Sequence, residues 1–83
     1  METGGPVLYT QEACADSAKV RAWLTAHRIA FTEHDVTHDV ATARDLAATG
    51  VFATPLLVAG TERVFGFRPD RLRAVLGVVE SDE

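Results

Sequence analysis

One cysteine stands in this chain, Cys14, and Ser17 follows it three positions later. Both lie where a short apolar run changes into a helical pattern. Backbone N–H groups and the positive end of a helix dipole converge at such a junction, and they make a thiol easier to ionise. Because the thiolate is the attacking species in disulfide exchange, the position of Cys14 is typical of a nucleophile. The alternative is a small buried apolar residue, as free cysteines often are, and position alone leaves both open.

The neighbours of Cys14 are expected to act on its ionisation in opposite directions. Ser17 can turn its hydroxyl toward the sulfur but cannot release a mixed disulfide. Glu12 and Asp16 place like charge beside the thiolate, and each opposes ionisation by about 1 kcal/mol or less at an exposed site. The helix end favours the thiolate by a comparable ~0.3–1 kcal/mol. We therefore predict that the pKa of Cys14 lies between that of a strongly activated thiol and that of a free one.

The elements that must position Cys14 follow from the apolar periodicity and the turn residues. Strand patterns are found in PVLYT, IAFTEHDV, PLLVA and RVF. Helices are predicted from about Ala15 to His27, from a cap at Asp39 to Gly50, and from Pro69 onward. The first helix is predicted from a recurring set of residues: Ala18, Val20, Trp23, Leu24 and His27.

These elements come in the order strand, helix, strand, helix, strand, strand, helix. A helical crossover makes the first two strands parallel. The turn at Gly60-Thr61 makes the last two an antiparallel hairpin. The chain is therefore predicted to be an α/β domain, with a four-stranded mixed sheet and helices on both faces.

Length and composition limit the classes of function. The 83 residues suit one small domain, with residues 1–5 and 80–83 expected to be flexible. A formal net charge of −4 argues against nucleic acid or an anionic membrane as a partner. No apolar run approaches the roughly 20 residues that cross a bilayer, and no signal sequence is recognised at the N-terminus. A single cysteine forms no internal disulfide, so we expect a reducing, cytoplasmic setting.

Three blocks resemble segments of known redox proteins. The block VLYTQEACADS is similar to the active-site region of glutaredoxins and of the glutaredoxin-like redoxins that reduce ribonucleotide reductase. FATPLLV resembles their cis-proline segment, and FGFRPDRL resembles the Gly-Phe-Arg-Pro-Asp stretch of the second family. The likeness covers roughly residues 6–77 and implies the thioredoxin-like fold, in agreement with the order of elements.

The resemblance implies a role for several residues. Cys14 matches the attacking cysteine, and Ser17 takes the place of the resolving cysteine. Pro55 matches the cis-proline beside the thiol, and Thr54 matches the residue whose backbone pairs with a bound thiol substrate. Gly66 matches a glycine that lets the backbone approach that substrate. The other side of the substrate groove is then formed by three consecutive residues: Gly66, Phe67 and Arg68.

Three positions depart from the glutaredoxin pattern where glutathione is held. Gln11 replaces a lysine or arginine three residues before the attacking cysteine, and Phe52 replaces a cation three residues before the cis-proline. Phe67-Arg68-Pro69 replaces an acidic pair. The usual contacts to glutathione are therefore predicted to be missing or changed in sign. The resemblance favours a disulfide-containing protein or a low-molecular-weight thiol other than glutathione as the partner, with glutathione left as a possible thiol. We expect no required cofactor, an external reductant, and a monomer.

Ser17 leaves three functions open. In the first, the chain is a monothiol thiol–disulfide oxidoreductase in which an external thiol resolves the adduct on Cys14. In the second, it is a catalytically silent binding module with a redoxin fold. In the third, it is an iron–sulfur-binding monothiol glutaredoxin, although Ala15-Asp16 stands where those relatives usually have Gly-Phe. His34 and His38 are predicted to be solvated, because their spacing aligns two metal ligands only on a helix.

Overall fold

The computed structural model describes residues 5–48, 50 and 53–78. Most of the residues predicted to be flexible lie outside these ranges, as does Phe52. The strands are β1 (Val7–Thr10), β2 (Thr32–Asp35), β3 (Leu56–Ala59) and β4 (Glu62–Phe65). The helices are α1 (Ala15–Ala26), α2 (Val40–Ala48) and α3 (Pro69–Leu76). The predicted order of elements is confirmed. Within the described ranges, no helix has the length and apolar character needed to span a membrane.

The four strands form one mixed sheet in the order β2-β1-β3-β4. Strands β1 and β2 are parallel, with Thr10 paired with Asp35, while β3 is antiparallel to both β1 and β4. A two-residue turn joins β3 to β4, and Gly60 takes its positive φ of 62°. Because β1 and β2 are parallel, the loops that follow them meet at the same edge of the sheet.

The main core lies between the sheet and two helices. Its buried members come from both layers: Leu8, Leu57 and Val64 from the strands, and Val20, Leu24 and Leu72 from α1 and α3. Side chains alternate across a strand, so Tyr9 and Leu56 point to the opposite face. There the carboxylate of Asp45, on α2, raises the pKa of Tyr9 after the larger effect of burial. Helices therefore cover both faces, as predicted.

The buried face of α1 includes a serine as well as apolar residues. Ser17, Val20 and Leu24 are buried at i, i+3 and i+7, and Trp23 packs partly against this cluster. Ala18 and His27, two residues of the recurring set from which the helix was predicted, are exposed. Successive helical residues are turned by about 100°, and Ala18 therefore points away from the sheet when Ser17 points toward it.

The predicted cap of α2 is confirmed. Asp39 Oδ1 accepts the N–H groups of Ala41 at 3.0 Å and Thr42 at 3.4 Å, and the Thr42 hydroxyl donates to Oδ2 at 3.0 Å. The bond from the Thr42 hydroxyl is the largest cause of the lowered pKa of Asp39. At the start of α3, Pro69 occupies the first helical turn as predicted.

Helix α1 ends in a Schellman arrangement that holds an arginine in an unfavourable conformation. The N–H of Ile29 donates to the Leu24 carbonyl and the N–H of Arg28 donates to the Thr25 carbonyl, both at 3.0 Å. Arg28 takes φ of 58°, in the left-handed region. Glycine is usual at this position, because a Cβ there meets the backbone.

Arg28→Gly is therefore expected to raise the free energy of unfolding. The left-handed conformation costs an L-residue about 1–2 kcal/mol, and the added freedom of glycine in the unfolded chain offsets about 0.5–1 kcal/mol of that gain. Urea unfolding should show a net increase of about 0.5–1 kcal/mol. The matched control is Arg44→Gly inside α2, which should lower the stability by about 1 kcal/mol. Changes of the same sign in both variants would contradict the explanation.

Candidate active site

Cys14 occupies the N-cap position of α1, between the end of β1 and the first helical turn. Its backbone is extended, with φ −96° and ψ 109°, and no side-chain bond caps the helix. The N–H of Cys14 donates to the Gln11 carbonyl and its own carbonyl accepts the N–H of Ala18, both at 3.2 Å. Ala13, just before it, turns the chain with φ of 66°. The thiol is thus held at the helix N-terminus, where its position was predicted.

Hydrogen bonding around the sulfur favours the thiolate. The Ser17 hydroxyl is the largest cause that lowers the pKa of Cys14, while burial raises it. The backbone N–H of Ser17, the Thr54 side chain and the backbone N–H of Asp16 lower it further. The net effect places the pKa of Cys14 below its usual value, and Cys14 is only partly buried. A partly exposed thiol with a lowered pKa can act as a nucleophile.

Ser17 lies beneath the thiol, with only 1% of its surface exposed. Its Oγ accepts the N–H of Gln11 at 3.4 Å. A hydroxyl carries one proton and two acceptor sites, so this bond leaves the proton of Ser17 available to the sulfur of Cys14. The apolar pattern of α1 did not reveal that Ser17 is buried, because a serine adds nothing to an apolar stripe.

Thr54 and Pro55 form a wall next to Cys14. The bond between them is cis, as the resemblance implied. The sulfur of Cys14 lies 3.9 Å from the Thr54 carbonyl oxygen, and the Thr54 hydroxyl donates to Gln11 Oε1 at 3.2 Å. Gln11, Cys14, Ser17, Thr54 and Pro55, which the sequence assigned to one site, are therefore brought together.

The remaining predicted site residues follow β4. Gly66 has φ of 81°, and its N–H donates to the Pro55 carbonyl at 2.9 Å, so it borders the cis-proline. Phe67 is partly buried against the main core. Arg68 is exposed at the N-cap of α3, where its carbonyl accepts the N–H of Leu72 at 2.8 Å. No hydrogen bond or ion pair between Arg68 and Cys14 is found in the described part of the chain. The role of Arg68 on one side of the substrate groove stays a prediction.

Contacts between the loops that follow β1 and β2 were not predicted. The N–H of Glu12 donates to Thr37 Oγ1 at 2.8 Å, and Glu12 Oε1 lies 2.8 Å from His38 Nε2. His34 instead lies against the Tyr9 ring, with 5.7 Å between the ring centroids. The two histidines thus have separate partners. The parallel pairing of β1 and β2 was the signal that could have indicated the contact between the loops.

An ion pair between Arg21 and Glu33 joins α1 to β2 near this site. Nε and Nη2 of Arg21 donate to the Glu33 carboxylate at distances from 2.6 to 3.1 Å. The buried Thr10 hydroxyl donates to the same carboxylate at 2.8 Å. Arg21 is the main cause of the lowered pKa of Glu33, and Glu33 in turn raises the pKa of Arg21. This network fixes the first two turns of α1 against the sheet edge.

An open cleft of about 480 Å³ adjoins Cys14 on the side of Arg21 and Asp35. It is lined by residues 11–15 and by Ala18, Arg21 and Asp35. Neither Thr54 nor Pro55 belongs to this lining. Across the described ranges, no three His, Cys, Asp or Glu side chains come close enough together to hold a metal ion.

Comparisons with known proteins identify the family and the fold of the chain. The family model for glutaredoxin matches residues 7–64. The thioredoxin-like protein BC3987 is 32% identical, with a TM-score of 0.76, over 84% of this chain and 97% of its own. NrdH-redoxin from Escherichia coli is 22% identical, with a TM-score of 0.74, over 93% and 97% respectively. Glutaredoxin Grx-1 from Archaeoglobus fulgidus is 14% identical, with a TM-score of 0.78, over 89% and 87%. The last two likenesses show the thioredoxin-like fold. No curated protein sequence matches the chain.

Proposed function

This chain belongs to the glutaredoxin family, and from that premise we propose that it is a monothiol thiol–disulfide oxidoreductase. The observation that carries the proposal is the partly exposed thiol of Cys14, whose pKa is lowered mainly by Ser17. It stands at the N-terminus of α1 beside the cis Thr54-Pro55 bond. A thiolate in that position can attack a disulfide that approaches along the Thr54 backbone.

The proposed reaction has two exchange steps. The Cys14 thiolate attacks one sulfur of a disulfide, the original S–S bond breaks, and the departing thiolate takes a proton from water. Cys14 then carries a mixed disulfide. An external thiol, ionised, attacks the sulfur of the bound group and forms a new disulfide with it, and the Cys14 thiolate is regenerated. Each cycle consumes one outside thiol: one half of the substrate disulfide leaves as a thiol, and the other half leaves in a disulfide with that outside thiol.

Ser17 cannot carry out the second step, because its hydroxyl is not a nucleophile toward disulfides at neutral pH. Its proposed role is to donate a hydrogen bond to the thiolate, both before attack and when Cys14 leaves. Thr54 and Pro55 are proposed as the wall on which the substrate docks, with Gly66 beside them. Gln11 holds Thr54 through its amide oxygen.

The proposed partner is a disulfide-containing protein or a low-molecular-weight thiol. Gln11 brings no positive charge for a glutathione carboxylate, and Arg68 stands in a region where glutaredoxins generally have an acidic pair. These two positions disfavour the usual glutathione contacts. No cofactor is needed for the proposed reaction. The need for an outside thiol fits a reducing compartment, and we place the protein in the cytoplasm.

Two other functions have less support. A silent binding module would be favoured by a sulfur sealed in the core, whereas Cys14 lines an open cleft. Cluster binding would require a second subunit and glutathione thiols, and Ala15-Asp16 departs from the sequence of relatives that do so. The oxidoreductase is therefore the function that the geometry supports best.

The experiment that tests the proposal is an alkylation titration of Cys14. The rate of reaction with iodoacetamide is measured against pH, with N-acetylcysteine in parallel as the free thiol. The midpoint for the protein is expected below that of N-acetylcysteine, because the hydrogen bonds favour the thiolate. In Ser17→Ala the midpoint should move up, because the largest of these bonds is lost.

The matched control is Thr25→Ala, which removes an exposed hydroxyl from the same helix and should leave the midpoint unchanged. A wild-type midpoint at or above that of N-acetylcysteine would overturn the proposed activation. In that case the search should turn to a binding partner of the groove.

A further inference from the structure

The cleft beside Cys14 runs along one face of α1. Cys14, Ala18 and Arg21 follow one another at i, i+4 and i+7, so they line the same side of the helix. The helical rise over seven residues is about 10 Å, which is the length of a small disulfide with its tail. Ala18 is small and leaves this space open. The thiol therefore stands at one end of a channel long enough to hold the group attached to it.

Arg21 offers little net positive charge to a ligand in this cleft. Its guanidinium is held by Glu33 through two nitrogens, with the shortest contact at 2.6 Å. Asp35 also acts on it, since the pKa of Arg21 is raised by Glu33 and, to a smaller extent, by Asp35. The charge of this cation is thus offset by its ion pair with Glu33 and by the nearby charge of Asp35.

Asp35 itself has a neutral partner. Its Oδ1 accepts the N–H of Thr37 at 2.8 Å, and the described part of the chain shows no ion pair at its carboxylate. Glu12 also lines the cleft and is paired with His38, whose side chain is 66% exposed. The nearby Lys19 is engaged with Asp16 at 3.9 Å, and both are well exposed. Two carboxylates, those of Glu12 and Asp35, therefore line the cleft together with one guanidinium, and Glu33 outside the lining offsets the charge of that guanidinium. Such a site attracts cations and repels anions.

We propose that this cleft binds the tail of small disulfides that carry an ammonium group, so that Cys14 reacts preferentially with aminothiol disulfides. This inference rests on the proposed exchange reaction and adds a substrate class to it. The tail would lie between Asp35 and Glu12, on the side of Cys14 away from the cis-proline wall. A carboxylate-bearing disulfide meets the same negative charge and reacts more slowly.

The exchange with cystamine illustrates the step. The Cys14 thiolate attacks one sulfur, a bond forms between that sulfur and Cys14, and cysteamine leaves as a thiolate that takes up a proton. The retained aminoethyl group carries its ammonium into the cleft. Dithiothreitol then reduces the adduct, which releases the second cysteamine and gives cyclic oxidised dithiothreitol.

The test compares three disulfides of different charge at low ionic strength. Cystamine carries two ammonium groups, hydroxyethyl disulfide is neutral, and dithiodiglycolate carries two carboxylates. The rate of adduct formation on Cys14 is followed by mass spectrometry in the wild type and in Asp35→Asn. The asparagine keeps an oxygen for the N–H of Thr37 and removes only the charge. Because each reagent is compared with itself across variants, its intrinsic reactivity cancels.

Asp35→Asn is expected to lower the ratio of the cystamine rate to the dithiodiglycolate rate by about three- to tenfold, with the hydroxyethyl disulfide rate nearly unchanged. Glu12→Gln changes the other lining carboxylate and should act in the same direction. The matched control is Asp70→Asn, the same charge change in the exposed first turn of α3, which should leave the ratio unchanged. Added salt should weaken the wild-type preference.

Two results would overturn the inference. The first is an unchanged ratio in both Asp35→Asn and Glu12→Gln, with all three disulfides still reacting, which leaves the exchange reaction intact. The second is an equal change in the Asp70→Asn control, which would assign the effect to overall charge. If none of the three disulfides modifies Cys14, the proposed function fails as well, so the two failures are distinguishable.

Discussion

Cys14→Ser is expected to lower the rate of disulfide reduction by at least about a thousandfold, because a hydroxyl stays protonated where a thiol ionises. The measurement is the turnover of hydroxyethyl disulfide by dithiothreitol in the presence of catalytic amounts of protein. The background rate without protein is subtracted. A variant that keeps more than a tenth of the activity would show that Cys14 is not the nucleophile.

The same variant should not lose stability. Cys14 is the N-cap residue of α1 and makes no side-chain cap bond, whereas serine is among the best N-cap residues. Urea unfolding is therefore expected to give an unchanged free energy of unfolding, or one higher by up to about 1 kcal/mol. Loss of activity with retained stability would separate the chemistry of the thiol from any part it plays in packing.

Ser17→Cys is expected to remove the need for an external thiol in the release of the adduct. Residues at i and i+3 on a helix are neighbours, and Ser17 lies beneath the sulfur of Cys14, within the range that a disulfide spans. A thiol held there attacks the mixed disulfide within the molecule, so the adduct should decay at least about a hundredfold faster than in the wild type. Quenched samples followed by mass spectrometry should show the adduct replaced by protein that has lost two hydrogens.

A control cysteine on the same helix tests whether position matters. Ala22 is exposed and lies two turns beyond Cys14, too far for a disulfide without movement of the backbone. Ala22→Cys should therefore leave the adduct as long-lived as in the wild type. Equal lifetimes in Ser17→Cys and Ala22→Cys would contradict the placement of Ser17 beneath the thiol.

The fold was largely predictable from the sequence because its signals are local. Asp39 before an apolar helix, Gly60 in a two-residue turn and Pro69 at a helix start each act within a few residues. The face of α1 was less predictable, since Ala18 is apolar enough to suggest burial and Ser17 is polar enough to suggest exposure. Which of them is buried depends on how the helix is rotated against the sheet, and that is decided by contacts with distant residues.

The site was predictable in part, for a similar reason. The position of Cys14 followed from the junction of strand and helix, and the cis bond before Pro55 followed from the family resemblance. The contacts of Glu12 with His38 and of Arg21 with Glu33 join residues 26 and 12 positions apart. They depend on the pairing of β1 with β2 and on the direction of long side chains, which apolar periodicity does not record.

The buried serine beneath the only thiol has a consequence for how such a protein would behave in a cell. In the proposed mechanism no second thiol in the same molecule can resolve the mixed disulfide on Cys14. The lifetime of this adduct is therefore inversely related to the concentration of free thiol in solution. The fraction of chains that carry an adduct would rise as that thiol pool is depleted and fall as it recovers. A chain with one sulfur would then report the state of the surrounding thiol pool as well as act on it.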